Sequence, residues 1–309
     1  MQRGFLAGLL GLLLGMDVCA QDRLPERSGW ELGARYWLSS GKTKRGHNAQ
    51  GVDPILGNPT SVLTYDDLTA HAIELHARKG FANRWFVKGN LGVGEVKRGG
   101  LDDEDFFAGQ VKFSESTSSV RGNRLYYGII DVGRDLWTGR DGSTLGPFIG
   151  FQQWSERVDA YGASWPVNFL MNPDLGNAVP IITNEVKWRF IRVGLAARVP
   201  VTPRTRVVGE IVFIPYASAR DEDSHWLRTA PSDLGPAPNV HINGRRGTGY
   251  QFDVELRHLL REHWELGVGV RYWYVNATHG ERSAAGFTTP LNELNSTRAG
   301  LTLSMTRLW

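Results

Sequence analysis

Two short stretches of this chain carry side chains able to pass a proton to or from water. The first is Ala219-Arg220-Asp221-Glu222-Asp223-Ser224-His225-Trp226, which follows a strand-like run starting at Val207. Side chains alternate faces along a strand, so Asp221, Asp223 and His225 share one. A carboxylate beside an imidazole fixes its tautomer and suits it to act as a general base. The second stretch is Arg98-Gly99-Gly100-Leu101-Asp102-Asp103-Glu104-Asp105-Phe106, where Asp103 and Asp105 again share a face. Two carboxylates that close cannot both ionise freely, so one should hold its proton. The competing reading of both stretches is a pair of acidic loops, solvated or holding a divalent cation.

Strands must position these groups, and the sequence is patterned for them. Trp30, Leu32, Ala34, Tyr36 and Leu38 form one face of residues 29–39, and Glu31, Gly33 and Arg35 the other. Tyr250, Phe252, Val254, Leu256, His258 and Leu260 alternate with Gln251, Asp253, Glu255 and Arg257. Trp264, Leu266, Val268, Val270, Tyr272 and Tyr274 alternate with Glu265, Gly267, Gly269 and Arg271. Period two with one polar, glycine-bearing face is the strand template. About ten such segments appear: 29–39, 63–78, 84–97, 119–137, 145–159, 184–199, 205–219, 246–260, 264–276 and 297–309. The links between them alternate short and long. The long ones are 40–62, 98–118, 160–183, 220–245 and 277–296. This spacing predicts an all-β fold, a ten-stranded antiparallel transmembrane β-barrel of the outer-membrane type. A soluble β-sandwich has shorter strands and no reason to sort its loops this way. In such a ring the third and seventh strands lie nearly opposite, so the two acidic stretches should face each other across the outward mouth. That geometry suits one water held between a base and carboxylates, and so hydrolysis.

Composition agrees. Residues 1–20 read as a secretory signal peptide, with Arg3, an apolar run from Phe5 to Leu14, and Val18-Cys19-Ala20 before the cut. A lipoprotein signal using Cys19 is the competing reading. Residues 21–309 then form a single barrel domain without cysteine, hence without disulfides or thiolate chemistry. No later apolar run is long enough for a transmembrane helix. The net charge of +3 makes no case for nucleic acid. Eleven Trp and nine Tyr suit aromatic girdles at membrane interfaces. His71 and His76 fall on opposite faces and make no joint site, and the adjacent Asp66 and Asp67 make no pair. Lys42, Lys44, Arg45 and His47 form a basic cluster that reads as solvated loop or headgroup contact.

The chain resembles the omptins, ten-stranded outer-membrane proteases of Gram-negative bacteria. Four stretches carry the resemblance: Ser40-Gly41-Lys42-Thr43-Lys44, Gly100-Leu101-Asp102-Asp103-Glu104-Asp105-Phe106, Gly146–Gly162 around Ile149-Gly150-Phe151-Gln152, and Ala217–Trp226. The resemblance implies Asp103 and Asp105 as the family's Asp-Asp pair, and Asp223 and His225 as its Asp-His pair. It implies an aspartate-type endopeptidase without a covalent intermediate: His225, oriented by Asp223, deprotonates a water held against Asp103. It places Asp221 in an acidic pocket for a basic substrate side chain. The residue completing that pocket is usually Glu, and here it is Arg45, so a dibasic preference does not carry over. The family's lipopolysaccharide pattern, Tyr-x-Glu-x-Arg, falls on Phe151, Gln153 and Ser155, with Arg157, Lys187 and Arg189 nearby as basic candidates. These implications set the expectations: a bacterial outer-membrane location with long loops outside, a peptide or protein substrate, no metal or cofactor, and lipopolysaccharide as an activator. They also include contact with outer-membrane lipid, a monomer, and recognition by the assembly machinery through the alternating last strand that ends on Trp309. The alternative is a non-enzymatic barrel, an adhesin, structural protein or narrow pore. Lumen charges such as Glu255, Arg257 and Arg271 predict a filled, salt-bridged interior instead of an open one.

Overall fold

The computed structural model describes residues 29–309, the side chain of Asn123 excepted. The expected signal peptide, residues 1–20, lies outside the described residues. Twelve strands follow in order: β1 (Trp30–His47), β2 (Ser61–Gly80), β3 (Trp85–Phe107), β4 (Val111–Arg134), β5 (Trp137–Thr138), β6 (Thr144–Asn168), β7 (Leu175–Pro200), β8 (Thr205–His225), β9 (Val240–Arg261), β10 (Trp264–Ala277), β11 (His279–Ala284) and β12 (Phe287–Leu308). Each pairs antiparallel with the next around the sheet, and β1 closes on β12 from Glu31↔Leu308 to His47↔Leu291. The short β5 is a turn-side pairing with β6. The short β11 continues β10 between β9 and β12. The result is a closed barrel of ten long strands, as the alternation predicts, with no open edge.

The outer wall is apolar over part of each strand only. Leu91 is 69% exposed, Ile73 62% and Ile211 64%, with Leu32, Val93, Ile130, Ile149, Val193, Leu195 and Leu301 in the same band. In water this surface is unfavourable; in hydrocarbon each such side chain gains on the order of 1 kcal/mol. Trp30, Trp85, Trp137, Trp264 and Trp309 ring the short-turn end of the band. Tyr216 and the stacked Tyr250 and Tyr272 border its other end.

The interior is filled, as the lumen charges predict. Arg35 and Arg271 both grip Glu74, at 2.7 and 2.6 Å, and Arg271 also pairs with Asp253 at 2.7 Å. Arg257 pairs with Glu255, Arg192 with Glu210 and Arg206 with Glu265, each at 2.6 Å. Over this ionic layer lies an aromatic one. Trp273 meets Trp37 at 4.8 Å, Tyr127 at 4.9 Å and Trp154 at 5.7 Å between ring centres. Arg271 stacks beneath Trp37, 5.0 Å from the ring centre. The two layers together fill the lumen beneath the mouth.

The strands are longer than the pattern predicts, and three of the five expected long loops are mostly strand. Residues 98–118 form a hairpin in which β3 and β4 run on to a turn at 108–110. Residues 160–183 mostly extend β6 and β7, and 277–296 extend β10, through β11, and β12. The physical reason is solvent. Above the band the outer face of a strand meets water instead of lipid, so backbone pairing continues while the outward apolar row that reveals it is no longer required. Only 48–60 and 226–239 remain long connections at that end.

Candidate functional site at the barrel mouth

The extended strands carry the predicted residues up an inner wall, not into loops. Asp103 and Asp105 sit within β3, opposite Leu63 and Ser61 of β2 and Ser116 and Ser114 of β4. Asp221, Asp223 and His225 sit within the last turnward stretch of β8, opposite Val186, Asn184 and Ile182 of β7. β3 and β8 lie on opposite sides of the ring and reach the same end. The two acidic stretches therefore face the same end of the lumen, and the β8 stretch acts on the β3 stretch. The charge of Asp223 acts on Asp103, and that of His225 on Asp105.

Asp103 and Asp105 are half-buried. Burial, then the charge of Asp105, pushes Asp103 up to about 8. Burial also raises Asp105, against a hydrogen bond from the Ser61 hydroxyl. The pair thus keeps a proton near neutral pH, as two adjacent carboxylates should. No group of three metal-binding side chains converges among the described residues.

Asp221 and Asp223 are fully buried, and Arg45 holds both. Its Nη1 donates to Asp221 Oδ1 at 2.5 Å and its Nη2 to Asp223 Oδ2. Asn184 Nδ2 donates to the remaining oxygens, at 2.8 and 2.9 Å. Burial opposes ionisation of both carboxyls. Arg45, with His225 and Asn184, overrides it at Asp223, which is held low, while Asp221 stays raised. His225 Nε2 lies 3.6 Å from the same Asp223 Oδ2 that Arg45 holds. That separation is longer than a hydrogen bond. Asn239 fixes the His225 backbone: its Oδ1 accepts the His225 amide at 2.9 Å and its own amide donates to Asp223 O at 2.8 Å.

The basic cluster splits by face, which corrects its reading as solvated loop. Lys42 and Lys44 point outward, pairing with Asp66 at 2.5 Å and Glu293 at 2.7 Å. Arg45 and His47 point inward because β1 continues to His47. Burial, then Arg282 and Arg45, drives His47 down to about 3, so it is neutral. Tyr65, fully buried, lies under Arg45, and its hydroxyl has no partner among the described residues.

Asn184, Ser61, Tyr65, Arg228 and Arg282 belong to this mouth and have no individual sequence signal. Asn184 could be found only from the β7–β8 register. Arg282 lies in a stretch without apolar alternation. His71 and His76 do face opposite ways: His71 meets the Tyr36 hydroxyl outside, and His76 meets Thr306 at 3.0 Å inside. Arg157, Lys187 and Arg189 all lie on the outer wall. Lys187 and Arg189 line an open groove of about 720 Å³ with Tyr126, Tyr216, Arg220 and Arg245. Arg157 stands beside it, opposite Glu185.

No family model and no curated protein matches the chain. Its fold is similar to that of the outer membrane protease OmpT from Escherichia coli, with a TM-score of 0.74 over 94% of this chain and 100% of that one, at 12% identity. The translocator domain of the autotransporter NalP from Neisseria meningitidis aligns at TM-score 0.39 and 7% identity, over 99% of this chain and 94% of that one. Ail, the attachment invasion locus protein of Yersinia pestis, aligns at 0.30 and 8%, over 91% and 99%. The OmpT match places the chain among outer-membrane-type barrels by fold.

Proposed function

We propose that this chain is an omptin-like endopeptidase of the bacterial outer membrane, with the mouth turned to the cell exterior. The observation that carries the reading is that two acidic pairs on opposite sides of the ring reach the same end of the lumen, where the charges of Asp223 and His225 act on Asp103 and Asp105. His225, oriented by Asp223, takes a proton from water. The resulting hydroxide adds to the peptide carbonyl carbon, and the carbon–nitrogen bond breaks as His225 returns the proton to the leaving amine. Asp103 and Asp105, sharing a proton, hold the water against the carbonyl. This route uses no cofactor. The outer groove at Lys187 and Arg189 would seat the phosphates of lipopolysaccharide, the Trp309 strand would serve assembly, and the protein would work as a monomer.

One observation favours the second reading, a non-enzymatic barrel. Arg45 already occupies the oxygen of Asp223 that His225 approaches. The two readings part in one assay: refolded protein with lipopolysaccharide against a peptide library, beside His225→Ala. The hydrolase reading expects cleavage lowered at least about a hundredfold in the variant. Cleavage unchanged in His225→Ala removes the mechanism, and no cleavage by the unaltered protein favours the passive barrel.

A further inference from the structure

Arg282 is a cation of the mouth whose guanidinium has no partner among the described residues. It lies on β11, opposite Ile242 of β9, which in turn stands opposite Asp221 of β8. Cross-strand partners share a face, so Arg282 points inward, in the same row as Asp221. It is half-buried. Its guanidinium makes no ion pair or hydrogen bond among the described residues, unlike the other arginines of the mouth. Arg45 is locked between Asp221 and Asp223, and Arg228 holds Asp233 at 2.7 Å. The charges of Asp223 and Asp103, one from each acidic pair, both act on Arg282. Burial, with Arg45 and Arg228, presses Arg282 down to about 10. A desolvated guanidinium beside like charges, with no carboxylate in contact, gains most from an incoming anion.

The acidic partners point the same way. Asp221 is the carboxylate that the omptin resemblance sets against a basic side chain, and Arg45 fills that place from within the chain. Asp103 and Asp105 keep a proton between them, which lowers the repulsion an incoming carboxylate would meet. We propose that the mouth binds a peptide through the side-chain carboxylate of a Glu or Asp, held by the fork of Arg282, and does not select basic residues. This rests on the reading of the mouth as a peptide site, and not on the cleavage step.

The test uses refolded full-length barrel and three labelled peptides alike except for one central Glu, Gln or Lys. Binding is read by fluorescence anisotropy, and the recovered peptide is checked for cleavage. The Glu peptide should bind at least about tenfold tighter than the Gln peptide, with Lys weakest. Arg282→Gln should erase the Glu advantage while leaving the Gln peptide unchanged. Arg282→Lys should keep part of the advantage, since it retains charge without the planar fork. Equal binding of Glu and Gln, tighter binding of Lys, no binding, or an advantage that survives Arg282→Gln would each overturn the site. A Glu peptide bound but recovered intact would leave the site standing and count against the hydrolase. Cleavage without Glu preference would do the reverse.

Discussion

At Asp103 the physics of the mouth can be read as a proton count. Burial beside Asp105 raises its carboxyl to about 8 from an ordinary 3.8. The folded state therefore binds a proton more tightly than the unfolded one. With the folded value above the unfolded value, this group's contribution is most favourable below about pH 4 and is lost as pH rises towards 8. Asp103→Asn should remove that slope. The variant should be indistinguishable from the parent near pH 4 and more stable by about 1–2 kcal/mol near pH 9, after allowing for the half-exposed position. Urea unfolding followed by tryptophan fluorescence at both pH values would check it; an equal shift at both would assign the effect to packing. The pairing of Asp103 with Asp105, and of Asp223 with His225, was legible in the sequence because spacing of two within a strand is local geometry. Arg45 between two carboxylates was not. Its charge was visible, but its reach across the ring depends on β1 running on to His47.

The elements divide at the upper edge of the apolar band. Below it, one face meets lipid and the other the packed lumen, and the alternation announces each strand. Above it, β3, β4, β6 and β7 continue without a lipid-facing apolar row, held by backbone pairing. The expected loop at 98–118 is a hairpin for that reason. The connection 226–239 does remain a loop, and Asn239 ties its far end to the end of β8 through contacts with His225, Asp223 and Gly235. Asn239→Ala should cost about 1–2 kcal/mol, because it strands the part-buried backbone groups of His225 and Gly235. It should also raise hydrogen exchange in 224–240 while the β10–β12 ladder stays protected. Uniform loss of protection around the barrel would show that Asn239 supports the whole fold instead of this corner.

As a whole molecule, the barrel is a cup and not a tube. Its ionic layer, from Arg35–Glu74 to Arg206–Glu265, and the aromatic layer over it leave the interior packed beneath the mouth. A space of about 90 Å³ lies within the ionic layer, between Glu31, Arg35, His76 and Asp253 among others. The barrel should pass no steady ionic current in a planar bilayer at neutral pH. Sustained single-channel steps from purified protein would contradict a closed floor. Such a floor also leaves anything bound at Asp103, His225 or Arg282 in contact with one side of the membrane only.

Local alternation in the chain was sufficient for the barrel, its strand count, the face of each charged residue in the band, and the two acidic pairs. All of these follow from a backbone whose side chains repeat every two residues against two unlike solvents. Tertiary structure alone decided which residues meet across the ring: Arg45 with Asp221 and Asp223, Asn184 with both, and Arg282 in the row of Asp221 without a partner among the described residues. Those contacts depend on register and closure, which are set by the pairing of strands far apart in the chain and leave no trace in any single stretch.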